Sequence, residues 1–128
     1  MLTYTGMAQM TALILSDVGG TAFDYVGIGT SNAAENANHT NLQTPLVRKA
    51  AVGSRVQTTV ANDTGQLVAT FSSTDGLSGS ATITETGVFT ADSGGVMLFR
   101  KVVAGKTVNW DDGDTLTVTD KCQVKQGT

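Results

Sequence analysis

The 128-residue sequence holds one cysteine, one proline, one histidine, two glutamates and seven aromatic residues. A lone cysteine excludes an intramolecular disulfide framework, and a lone histidine excludes any multi-histidine metal site. Basic residues are scarce too: eight Lys+Arg against eleven Asp+Glu give a net charge of −3, and none of the eight precedes residue 48. A nucleic-acid binder normally shows the opposite balance. So few aromatics also weaken a case for a sugar-binding platform or a single-strand stacking surface. No apolar run approaches the length of a membrane span, and the opening residues do not read as a signal peptide. What is abundant is threonine, with 21 copies, followed by 15 glycines and 14 valines. That balance favours strands and turns over helices. At this length a single domain is expected, with enough buried surface for a core without staples.

Apolar spacing divides the chain into one short helix and a series of strands. Met7, Met10, Leu13 and Ile14 recur at three- and four-residue intervals, which predicts a helix near residues 5–16 that packing must hold. Thr3 or Thr5 is placed to cap its start, and Gly19-Gly20 to end it. Beyond Gly20 the period changes to two. Strands are expected at Phe23–Ile28, along Val47–Val60 as one long strand with a solvated side, and at Gln66–Ser72. Others are expected at Ser80–Phe89, Val96–Val103, Thr107–Trp110 and Thr115–Lys125, with Leu116, Val118, Cys122 and Val124 alternating inward. Between Thr30 and Thr44 lies a polar, Asn- and Ala-rich loop, and Pro45 suits a strand start or an edge. Seven strands with near-regular turns and no helical crossover after residue 45 predict a mainly β fold: an antiparallel sandwich or a partly closed barrel.

Few side chains group in a way that carries chemistry. Asp111, Asp112 and Asp114 cluster at a glycine turn, where carboxylates can gather calcium's oxygens. The register that would supply the remaining ligands holds Lys121 and Cys122, so a solvated hairpin tip is the simpler reading. Glu85 falls in line with Ala81 and Ile83, and a carboxylate facing a core needs a cation or several donors. Arg100, on the next expected strand, is the cation a hairpin would bring near it. No second carboxylate, histidine or nucleophile accompanies Glu85, which favours a structural ion pair over catalysis. His39 has no His or Cys companion and reads as an ordinary loop histidine. Cys122 reads as a small buried hydrophobe. The pair Arg48-Lys49, with Arg55, forms a modest basic stretch that serves either to blunt a strand edge or to meet an acidic partner.

Several short motifs, taken in order, resemble a known family. They are Phe23-Asp24-Tyr25-Val26-Gly27-Ile28-Gly29-Thr30, then Leu42-Gln43-Thr44-Pro45, then Ile83-Thr84-Glu85-Thr86-Gly87-Val88-Phe89, and last Asp114-Thr115-Leu116-Thr117-Val118. The series is similar to small tailed-bacteriophage virion proteins of the tail-fibre-like or head-decoration-like kind, over roughly residues 5–120. Where that pattern carries an acidic residue after "L-x-T", this chain has Pro45. The resemblance implies a structural part of a virion, without enzymatic activity or cofactor. Its implied partners are the major capsid protein and neighbouring virion subunits, with a homo-trimer as one arrangement. A capsid decoration protein that stabilises the head is the first expectation, and a tail fibre, baseplate or tail-tip component the second. A glycan-binding module using an exposed Trp110 is a third, from a different class. The opening residues and the loop bearing Asn36, Asn38, His39 and Asn41, with Arg48, Lys49 and Arg55, are the expected contact residues.

Overall fold

The structure, a computed structural model, describes residues 1–15 and 20–127. One helix, α1 (Tyr4–Ile14), precedes seven strands: β1 (Tyr25–Gly29), β2 (Pro45–Ala50), β3 (Val52–Val56), β4 (Thr64–Phe71), β5 (Ser80–Phe89), β6 (Met97–Asn109) and β7 (Leu116–Gln123). They form two antiparallel sheets, one in the order β2-β1-β5-β6 and the other β3-β4-β7. The sheets do not join around a closed circuit, so the fold is the sandwich and not the barrel.

Between the sheets sits the main apolar cluster, in which Val26 and Ile28 of the larger sheet meet Ala69 and Phe71 of the smaller. Trp110, in a short 3-10 turn after β6, belongs to this cluster and is 1 % exposed. Each large apolar side chain buried this way contributes roughly 1.5–3 kcal/mol. The opposite face of the larger sheet is also covered. Leu42, Phe89 and Met97 form a second cluster there, beneath a layer made of residues 30–44 and the N-terminal segment. Gly27 and Gly87 leave that face bare enough for the Phe89 ring to lie flat across it: a Cβ would sit 2.8 Å from the ring at Gly27 and 3.1 Å at Gly87.

Two strand expectations need correction, in opposite directions. The long strand expected over Val47–Val60 is two. At Ala51, whose N–H donates to Asp24 O at 2.8 Å, the chain leaves one sheet for the other. It stops being a strand after Val56, because the Asp63 carboxylate accepts from the N–H groups of Thr58, Thr59 and Val60 at 2.8–3.1 Å. A local side-chain acceptor thereby competes with the sheet ladder. Conversely, the strands expected at Val96–Val103 and Thr107–Trp110 are one, since β6 runs through Gly105. A Cβ at Gly105 would lie 2.8 Å from Thr82 Cγ2, so this glycine permits a close approach to β5 and does not break the strand.

The helix also departs from expectation. Thr3 is its N-cap, accepting from Gly6 N–H at 2.9 Å, and Leu15 closes its end through an N–H to Thr11 O bond of 3.2 Å. The expected stop at Gly19-Gly20 falls partly outside the described residues. The apolar stripe does not pack inward: Tyr4, Met7, Leu13 and Ile14 are exposed, and Gly6 is the buried residue of the helix. Gly6 lets the helix rest directly on the β6 backbone, where a Cβ would come within 2.5 Å of Leu98 O.

Candidate functional site

Residues 30–44 form an Ω-like loop whose ends are tied by Thr30 N–H to Thr44 O at 3.0 Å. Its interior is held by Glu85 and Arg100, which the β5–β6 pairing places diagonally, Glu85 opposite Val102 and Arg100 opposite Gly87. The two meet at 2.6 Å between Arg100 Nε and Glu85 Oε2, and both are almost wholly buried. A register irregularity between Ile83 and Glu85 separates their surroundings. Ile83 joins the intersheet cluster, whereas Glu85 lies against Gly29, whose missing Cβ makes room for its carboxylate.

The pair is satisfied almost entirely by loop backbone. Glu85 accepts from Gln43 N–H at 2.9 Å, Thr44 N–H at 2.8 Å and Ser31 N–H at 3.4 Å. Arg100 donates to Ala33 O at 2.8 Å and Ser31 O at 3.4 Å. Burial pushes the Glu85 carboxyl up, but Arg100 and those N–H groups outweigh it and hold the group below its ordinary value. The arrangement is that of an ion pair used as a clamp, since the donors and acceptors that would activate a substrate are already engaged.

The N-terminal segment continues the layer. Leu2 forms an antiparallel bridge with Phe99, Thr3 N–H donates to Leu98 O at 2.9 Å, and Tyr4 N–H donates to Ala37 O at 3.0 Å. The Met1 amine bonds both Glu35 and Arg100 O. Helix, loop and β6 are thus one connected unit.

Most of the expected contact residues spend their polar atoms inside the chain. Asn36 shapes a turn, accepting from Asn38 N–H at 2.8 Å through its side chain and from His39 N–H at 3.0 Å through its carbonyl. Asn38 is exposed. His39 is half-buried, and its Nδ1 has no hydrogen-bond partner among the described residues. Asn41 accepts from Leu42 N–H and from Arg48. Arg48 lies over the Phe89 ring, 3.6 Å from its centroid, and donates to Ala91 O and Gly94 O. It fastens the β5–β6 turn. Lys49 bridges to Thr70 O at 2.7 Å and Asp75 at 3.1 Å, tying β2 to the other sheet. Arg55 is exposed and has no such partner among the described residues.

Two further candidates resolve differently. Asp112 and Asp114 accept from the Asn109 side chain and backbone at 3.0 and 2.9 Å, and Asp111 is exposed beside them. Among the described residues no group of three or more His, Cys, Asp or Glu is placed to hold a metal. Trp110 corrects an expectation outright. Its indole fills the end of the sandwich, so it offers no exposed ring for stacking on a sugar, and that route to glycan binding is excluded.

Asp120 is the residue the sequence pattern passes over. It stands between Val118 and Cys122 on the inward face of β7, is 7 % exposed, and accepts from Thr86 Oγ1 at 3.0 Å across the sheets. The same hydroxyl lies 3.0 Å from Gly27 O. One hydroxyl proton serves only one of these acceptors, so both contacts are hydrogen bonds only when Asp120 is protonated and donates to Thr86. Burial pushes the Asp120 carboxyl up to about 6, against the opposing influence of Thr86 and Lys101. The signal that would have found it is strict alternation through Leu116, Val118, Asp120 and Cys122, which leaves no outward position for it.

The raised value has a consequence for stability. Between pH 4 and 6 the folded chain holds a proton at Asp120 that the unfolded chain releases. Its contribution is therefore full below about pH 4 and is lost as pH rises through about 6, by about 2–3 kcal/mol in all. Asp120→Asn should remove this part of the pH dependence, so that urea unfolding of the variant and the parent chain diverges as pH rises from 4 to 7. Parallel curves would show that Asp120 titrates normally.

No protein-family model matches the chain, and a search of curated proteins finds no match.

Proposed function

We propose that this chain is a non-enzymatic structural protein of a tailed-bacteriophage particle, a decoration protein that binds the lattice of the major capsid protein and stabilises the head. The observation that carries the reading is the N-terminal helix. It has no charged side chain over its whole length, seats itself through Gly6, and leaves Tyr4, Met7, Leu13 and Ile14 exposed beside a loop that Glu85 and Arg100 hold in shape. A body that presents an uncharged apolar helix, with the Glu85–Arg100 pair already satisfied by its own loop, suits adhesion better than turnover. The series of motifs ending in Asp114-Thr115-Leu116-Thr117-Val118 adds the virion context. Repeated weak contacts on a lattice would raise the avidity of each copy without any chemistry.

Adding purified protein to undecorated capsids tests this reading. Binding should saturate at a fixed ratio to the capsid protein and raise the temperature at which the heads rupture. Ile14→Asp, at a side chain 73 % exposed, should lower occupancy by about ten-fold while leaving the melting temperature of the free protein unchanged. Saturation at a few copies on one vertex or on the tail would assign the protein to the tail. Binding indifferent to Ile14→Asp would remove the helix from the contact.

A further inference from the structure

The intersheet core does not fill the whole sandwich. On the inner face of the smaller sheet, Phe71, Ala69 and Val118 pack against the larger sheet. In the next two rows, the pairing sets Gly53 beside Leu67 and Asp120, and then Arg55 beside Gly65 and Cys122. A cavity of about 360 Å³ opens there, roofed by Val88, Leu98 and Phe99 of the larger sheet. That volume lies within the range of small-molecule sites.

The two glycines of its floor serve no evident need of the backbone. Neither adopts a left-handed φ. A Cβ at Gly53 would meet nothing closer than Leu67 Cδ2 at 3.5 Å, and one at Gly65 nothing closer than Cys122 O at 3.9 Å. Glycine within a strand is less favourable than alanine, and it often marks where something else approaches closely. At these positions the neighbouring chain leaves open space. Elsewhere in the molecule the contrast is plain: the sites of Gly6, Gly29 and Gly87 are filled by the protein itself.

We infer that the cavity floored by Gly53 and Gly65 is a binding site for a small amphiphile with an apolar body and an anionic head. Apolar walls receive the body. Arg55, which is exposed, lies on the inward row of β3 and has no partner among the described residues, lines the cavity and supplies the positive charge. Asp120, the acidic side chain of the lining, belongs to the strand on the far side of β4 from Arg55. Two strand spacings separate those strands by roughly 10 Å, so the anionic head belongs at the Arg55 side of the floor, away from Asp120. This site is independent of the apolar helix and of the virion reading.

Decanoate, a ten-carbon anionic amphiphile, is the probe, with decan-1-ol as its uncharged counterpart, both titrated calorimetrically into the intact protein. One decanoate should bind per chain. Gly65→Val, which fills the floor, should weaken binding at least about ten-fold while the melting temperature stays the same or rises. Arg55→Gln should weaken decanoate about ten-fold and leave decanol unaffected. Absence of saturable binding, or binding that persists undiminished in folded Gly65→Val, would overturn the inference. Should Gly65→Val not fold, the Arg55→Gln comparison decides: selective loss of decanoate supports the site, and equal decanoate affinity in the parent chain and Arg55→Gln contradicts it.

Discussion

Replacing Glu85 with alanine is expected to lower the stability of the protein by about 3–5 kcal/mol, because the substitution strands a buried guanidinium. The loss extends past one ion pair. The N–H groups of Gln43, Thr44 and Ser31 lose their acceptor together. Two readouts separate this account from a generic core defect. Cleavage within residues 30–44 by a non-specific protease should accelerate in Glu85→Ala before global unfolding does, since the loop opens first. In addition, a double-mutant cycle of Glu85→Gln with Arg100→Met should show coupling of a few kcal/mol, with the double variant more stable than the sum of the single effects predicts. A loss under 1 kcal/mol, or additivity, would mean that the pair is incidental to the loop.

Trp110→Ala should be comparably severe, at about 3–5 kcal/mol, for a different physical reason. The indole closes one end of the intersheet cluster with Phe71, Ile83 and Val108, and its removal leaves a large cavity there. For a chain of this size that corresponds to roughly 10–20 °C in melting temperature. A variant that keeps its melting temperature would contradict the burial of the ring and would reopen the question of what Trp110 does.

Where the sequence was legible, one principle governed the outcome. The bounds expected for the strand Ser80–Phe89 coincide with β5, and the Glu85–Arg100 meeting follows from hairpin adjacency, although the irregularity between Ile83 and Glu85 turns the carboxylate to the face opposite Ile83, not the shared face that alternation implies. The failures have causes outside local pattern. Alternation continues smoothly across Ala51, and nothing in it registers that the chain changes sheets there. Gly105 looks like punctuation although it is accommodation, because its reason for being glycine is Thr82 on another strand. A merged pair and a split strand leave the strand count at seven by cancellation. The spacing of Met7, Leu13 and Ile14 suits a helix, but periodicity alone does not say whether the surface it faces belongs to the same chain. Trp110 shows the converse error: an aromatic next to an acidic turn looks solvent-facing when its neighbours are exposed, and only tertiary contacts reveal that the backbone turns it inward.

The contact residues divide along the same line. Arg48, Lys49 and Asn41 look available in one dimension and are consumed by turns and a second sheet in three. Asp120 was hidden because an acidic residue inside an apolar alternation is easily taken for an outward position. Its environment reverses that, and the Thr86 hydroxyl shared with Gly27 O accounts for how the burial is tolerated.

In the proposed role, α1 and the clamped loop are the face that adheres. A density map of the assembled particle, at a resolution that shows helices, tests this most directly. The prediction is one copy of the protein per repeating site across the head, with α1 and residues 30–44 turned toward the capsid protein. Density confined to the tail, or copies on the head with α1 facing solvent, would contradict it.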